Sequence, residues 1–148
     1  MSLQDWQKQQ LLKTHNPTKE EIESLFRVID RCISDASVED ISADLRFNTA
    51  YQAALELAKV ALHASGYRLS AKDGYHWRMM MSIKFTMGNK SRANYLNVCR
   101  QTRNKSSYDT VGLSTLDDVE ELLNEVKDFR QDVVDWLKQH HPDLLPNC

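Results

Sequence analysis

The densest chemical pattern in this chain of 148 residues is Cys99-Arg100-Gln101-Thr102-Arg103-Asn104-Lys105-Ser106-Ser107-Tyr108-Asp109. In helical register Arg103 falls two turns beyond Leu96 and shares an inward-looking stripe with Leu96 and Cys99. A guanidinium on such a face needs a carboxylate, carbonyl or phosphate, and its planar fork of donors suits an oxyanion. A buried structural ion pair is the alternative role. Asn104 adds an amide that orients backbone or substrate, and Tyr108 adds a phenol that bonds a phosphate or stacks on a base. His76 is the second candidate, because it opens a helix after Asp73-Gly74-Tyr75, where the positive helix end and Arg78 favour an anion. Its alternative is an imidazole packed near Trp77 that caps a backbone group. With Arg100 and Lys105, His76 and Arg78 form the expected RNA- or nucleotide-binding set, around Arg103, Asn104 and Tyr108 as the catalytic set.

Other enzyme fingerprints do not occur. There is no glycine-rich phosphate loop, helical histidine pair, Gly-x-Ser-x-Gly elbow or calcium-binding loop. His15 reads as a turn residue, His63 as a helix-end residue, and His140 and His141 as a frayed terminus, so neither a metal nor a cofactor is expected. Cys32, Cys99 and Cys148 are widely spaced, as suits reduced cytoplasmic thiols rather than a disulfide framework. No apolar run approaches the roughly 18 residues of a membrane span, and the polar first residues do not resemble a signal peptide. A cytoplasmic protein without a membrane segment is the expectation.

Charge is distributed unevenly along the chain. Residues 68–105 carry nine Lys/Arg against one Asp, a net +8, between flanking parts at −3 and −7; the overall −2 conceals this. Such a segment attracts nucleic acid, a nucleotide or an acidic partner surface. The alternative is that the acidic last helix folds beside it and neutralises it.

These candidates must be positioned by helices. A chain that is 41% hydrophobic without low-complexity bias excludes a disordered reading. Every glycine and proline lies at a helix break: Gly66 and Gly88 read as left-handed C-terminal caps, and Gly74 and Gly112 as connections. Start signals are a Thr18/Glu21 capping box, a Ser37/Asp40 pattern, and Ser91 and Ser114 as N-caps. The spacing predicts helices near 3–14, 18–34, 38–65, 75–87, 91–107 and 115–140, with no strand. The fold expected is all-α: a single antiparallel bundle of four to five main helices over 18–141, a short N-terminal helix and turn over 1–17, and a tail over 142–148. Ile22, Leu25, Phe26, Ile29 and Ile33 stripe the second helix; Val119, Leu122, Leu123, Val126, Phe129, Val133 and Trp136 stripe the last. The third helix is apolar around most of its circumference, from Leu45 and Phe47 through an alanine-rich centre to Leu62, as suits a central helix or a homodimer contact. The methionines of the fourth helix, Met79 to Met81, read as adaptable core packing.

One combination is familiar. Leu45-Arg46-Phe47-Asn48-Thr49-Ala50-Tyr51 opening an alanine-rich helix, then Gly66-Tyr67-Arg68, the Gly74-Tyr75-His76-Trp77 turn, and Arg103-Asn104 before Tyr108-Asp109 together resemble the HEPN superfamily, over about residues 40–138. The resemblance implies a helical bundle, commonly a homodimer, and a metal-independent ribonuclease of a toxin-antitoxin, antiviral or RNA-processing system. It also implies, for a toxin, a nucleotidyltransferase-type antitoxin as partner. Other members are non-catalytic nucleotide- or RNA-binding or interaction modules. The family signature is an Arg followed after four to six residues by His. Arg103 matches the Arg and Asn104 its polar neighbour, but Tyr108 stands at the shortest His spacing. A phenol titrating near 10 is a poorer base than an imidazole near 6.5. The resemblance therefore leaves proton transfer to His76 or Tyr108, or points to a module that has lost the catalytic His.

Overall fold

The computed structural model describes residues 2–70, 74–108 and 114–146, with backbone alone over 105–108. Its described helices are α1 (Leu3–Lys8), α2 (Lys19–Ala36), α3 (Ala43–Ala64), α4 (Tyr75–Thr86), α5 (Lys90–Tyr108) and α6 (Leu116–His140), an all-α bundle. Helix starts follow from side-chain chemistry: Ser2, Thr18, Ser42 and Thr115 each accept the backbone N–H three residues on, satisfying an orphan donor. Asn89 does the same for α5 through Arg92 N–H, at 3.0 Å. Several expected caps shift by one or more residues. Ser37 closes α2 instead of opening α3, Asn89 takes the place of Ser91, and Thr115 takes that of Ser114. Gly66 (φ 96°) and Gly88 (φ 68°) sit just beyond α3 and α4 in the left-handed region, as expected of C-terminal caps. Gly112 lies outside the described residues.

The N-terminal segment departs from the expected helix over 3–14. After α1 the chain turns through Gln10 (φ 63°), and β1 (Leu12–Thr14) pairs antiparallel with β2 (Tyr67–Leu69), Leu12 opposite Leu69 and Thr14 opposite Tyr67. Three-residue strands are too short for alternation to register, and the pairing is made far along the chain. Its effect is to tie the N-terminus to the end of α3.

The centre of the bundle is α3, which packs against α2, α4, α5 and α6. Ala50, Tyr51, Ala53, Ala54, Leu57, Ala58, Val60 and Leu62 are fully buried, and the alanines let neighbouring backbones approach closely. Of the two roles its apolar circumference suits, a central helix or a homodimer contact, the first is met: the circumference is largely covered within one chain, with Leu45, at 54% exposure, the exception on this helix. From α2 come Ile22, Phe26 and Ile29, from α6 Val119, Leu122, Val126, Phe129 and Val133, and from α4 Met79 and Met80, which are core residues. Arg46, of the Leu45-Arg46-Phe47 motif, is buried and donates from Nε to the Ala36 carbonyl at 2.8 Å, closing the end of α2. Part of the basic segment is neutralised as the alternative reading had it: Arg92, 8% exposed, bridges Glu125 (2.6 Å) and Asp132 (2.7 Å) on α6 and lies 4.9 Å over the Phe129 ring.

Candidate functional site

Two helix ends build the candidate site. Gly74 lies in the left-handed region (φ 69°) at the N-cap of α4 and offers no side chain to cap the first turn, the end of a helix that favours an anion. Immediately after it Tyr75, His76 and Trp77 face the C-terminal half of α5, from which come Arg100, Arg103 and Asn104. Together they line one open cleft of about 410 Å³ without a carboxylate among the described lining residues.

The floor is Tyr51 of α3. Its hydroxyl lies 3.1 Å from His76 Nδ1, the two rings stack at 5.8 Å with an interplanar angle of 27°, and the Arg103 guanidinium sits 5.6 Å from the Tyr51 ring centroid. The aromatic face therefore holds Arg103 by cation–π attraction, and the hydroxyl orients the imidazole. Arg103 donates to Asn104 Oδ1 at a long 3.5 Å, and Arg100 Nε donates to Asn97 Oδ1 at 2.9 Å. Neither arginine forms an ion pair among the described residues.

Electrostatics follow from this geometry. Burial lowers the His76 pKa below its ordinary value, and the positive charges of Arg103, Arg100 and Lys59 lower it further. Burial also pushes the Tyr51 hydroxyl far above its usual range, against the pull of Arg103 and Arg100, so the phenol keeps its proton. Near neutral pH the imidazole is uncharged. With Nδ1–H donated to the Tyr51 oxygen, Nε2 is left as a base; with the tautomer reversed, Tyr51 donates and Nε2–H is left as a donor.

An anion in the cleft must raise the His76 pKa, because it offsets the arginine charges. By linkage the anion then binds more tightly as pH falls from 7 through the free His76 midpoint. Imidazole NMR titrations without and with sulfate, whose charge is constant over this range, are expected to give a free midpoint below 6.5 and an upward shift with sulfate. A free midpoint at or above 6.5, or no shift, contradicts this electrostatic picture.

Four of the expected site residues, His76, Arg100, Arg103 and Asn104, thus come together. Arg78 lines a second cleft of about 560 Å³ with Trp6, Lys84, Phe85 and Lys90, and its guanidinium lies close to Gly74 at the edge of the first. Trp77, read as an apolar member of the fourth helix, is 43% exposed and lines both clefts. The side chains of Lys105 and Tyr108, with Asp73 and Asp109, lie outside the described residues. Tyr51, which supports His76 and Arg103 from beneath, does not stand out in the sequence because it reads as one more apolar position of α3. The available signal was its hydroxyl, which needs a partner once buried among alanines. His15 and His63, expected at the surface, are instead half-buried and turned onto Glu21. Cys99 is buried in the core, and burial pushes its thiol up to about 11, so it stays protonated near neutral pH. Among the described residues no helix is long and apolar enough to cross a membrane. Compared with known protein families, characterised proteins and solved structures, the chain matches none.

Proposed function

We infer that this cleft binds the phosphodiester backbone of RNA and cleaves it without a metal, as a HEPN-type ribonuclease of a toxin-antitoxin or defence system. The observation that carries the reading is Arg103 facing His76 across one open cleft with no carboxylate among its described lining residues. The phosphate is held by Arg100, Arg103 and the first-turn N–H groups of α4, and the exposed ring of Trp77 offers a stacking surface for a flanking base. His76 Nε2 takes the proton of the ribose 2′-hydroxyl as its oxygen bonds to phosphorus. The bond from phosphorus to the 5′ oxygen breaks, and that oxygen takes a proton from water. Products are a 2′,3′-cyclic phosphate and a 5′-hydroxyl end. Arg103 stabilises the charge that develops on the phosphoryl oxygens. Asn104 holds Arg103 or the substrate in register.

All of these groups come from one chain, so the chemistry does not require a second copy. A homodimer, expected from the apolar third helix as well as from the family resemblance, and an acidic nucleotidyltransferase-type partner, which rests on the resemblance alone, enter here only as part of this proposal. A binding-only reading is favoured by one observation: Tyr108 stands where the family motif has His, which leaves His76 as the one imidazole among the described residues lining the cleft.

The test is incubation with single-stranded and structured RNA in a chelator, reading product ends and binding across salt. Cyclic-phosphate ends support cleavage. Binding that weakens with salt but gives no products supports the binding module, since phosphate contacts release counterions. Binding indifferent to salt overturns both.

A further inference from the structure

A second cluster lies apart from the cleft and shares no residue with it. His15 follows β1, Glu21 is the third residue of α2, and His63 stands in the last turn of α3. The backbone brings them together: His15 N–H donates to the Gly66 carbonyl at 2.8 Å, carrying the β1–β2 pairing one residue further and setting His15 beside the end of α3. Helix α2 packs along α3, which brings Glu21 to His63.

Glu21 occupies the position from which a capping-box carboxylate reaches back to the N-cap. Here it turns away. His15 Nε2 lies 2.9 Å from both carboxylate oxygens, and His63 Nδ1 lies 3.0 Å from Oε2. The two imidazoles are 4.5 Å apart between ring centroids, and one ligand atom from each of the three residues lies within 4.8 Å of the others. Side-chain exposures of 22%, 33% and 15% for His15, Glu21 and His63 place the cluster in a half-buried notch that water reaches.

Two imidazole nitrogens and one carboxylate oxygen form a donor set suited to a borderline-soft divalent cation. A tetrahedral ion with bonds of about 2.0–2.2 Å needs its ligand atoms roughly 3.3 Å apart. The His–Glu separations of 2.9 and 3.0 Å are already near that spacing, and the two histidine nitrogens lie within 4.8 Å of each other, so side-chain rotation has to bring in that one remaining pair. We propose that His15 Nε2, the Glu21 carboxylate and His63 Nδ1 form a zinc-type divalent-cation site with a fourth position open to water. Binding displaces the proton that each facing ring nitrogen shares with Glu21, and that proton leaves to solvent. The ion then links three segments, the β1 exit, the α2 start and the α3 end. Because the unfolded chain does not hold these ligands together, binding also stabilises the fold.

The probe is Zn²⁺ added to the full chain, followed by calorimetry and thermal unfolding, with Co²⁺ used for visible absorption. The expected result is one ion per chain, a low-coordinate Co²⁺ spectrum and a Tm that rises with Zn²⁺. His15→Gln and His63→Gln are each expected to weaken binding more than about 10-fold and to abolish the rise in Tm. Glu21→Gln, which keeps size and hydrogen bonding, is expected to do the same and serves where a histidine variant does not fold. A His140→Gln/His141→Gln double variant is expected to bind as the wild type does. The proposal is overturned by absence of saturable binding at micromolar Zn²⁺, by unchanged binding in the Glu21 and histidine variants, or by loss of binding in the His140/His141 variant.

Discussion

Replacing Arg103 with alanine is expected to lower RNA cleavage by about 10²–10³-fold, the usual cost of removing one donor aimed at charge that develops in the transition state. The side chain is half-buried over Tyr51 and has no acidic partner among the described residues, so its removal strands none of the described carboxylates. Its stacking on the ring is worth only about 0.5–1 kcal/mol at a partly exposed site, and the variant therefore stays folded. Circular dichroism checks this, and single-turnover cleavage of a short RNA reads the effect. Arg103→Lys is expected to recover little of the rate, because an ammonium keeps the charge but loses the planar fork that grips two phosphoryl oxygens. Its salt dependence of binding should stay near that of the wild type, whereas Arg103→Ala should reduce the slope by about one phosphate contact. Equal cleavage by wild type and Arg103→Ala would remove Arg103 from the mechanism.

Phe129→Ala is expected to cost about 3–5 kcal/mol of folding stability, the range for deleting an aromatic side chain from a core. Phe129 is fully buried on α6, the helix that covers one side of α3, and its ring also lies under the Arg92 guanidinium. Its loss leaves a cavity and removes the apolar support of a cation that links α5 to α6. For a chain of this size the corresponding fall in Tm is on the order of 10 °C. Urea unfolding by circular dichroism measures it, with Val98→Ala as control, since Val98 is 56% exposed and should change stability by no more than about 0.5 kcal/mol. A loss below about 1 kcal/mol for Phe129→Ala would mean that α6 does not pack its apolar stripe as described.

What the sequence determined by itself is what short-range periodicity and local stereochemistry control. The stripes of α2 and α6 repeat at the helical period, and Ile22, Phe26, Ile29, Val126, Phe129 and Val133 are buried where that period puts them. Gly66 and Gly88 adopt positive φ just beyond helices because the left-handed cap is nearly free of cost only for glycine. That Arg100 and Arg103 of α5 and the histidine opening α4 are candidates for an anion was legible from residue type and helix end alone, and the structure sets them along one cleft. Cap positions slipped because several neighbouring Ser, Thr and Asn residues compete for each helix start, and packing selects among them.

Tertiary structure decided which of these groups meet. Tyr51 and His76 are 25 residues apart, and His63 and Glu21 are 42 apart. Whether their side chains touch depends on how each helix is rotated about its axis and crosses its neighbours. That rotation is set by the whole core at once, through the alanines of α3 and the side chains packed against them, and no local spacing encodes it. The same holds for Arg92 and Arg103, two arginines of one helix and one basic segment. Arg92 faces the carboxylates of α6 and is neutralised, whereas Arg103 faces the Tyr51 ring and an open cleft. Their chemical type is identical; the face of α5 that each occupies separates a structural ion pair from a candidate phosphate clamp, because a charge takes its role from what packing places beside it.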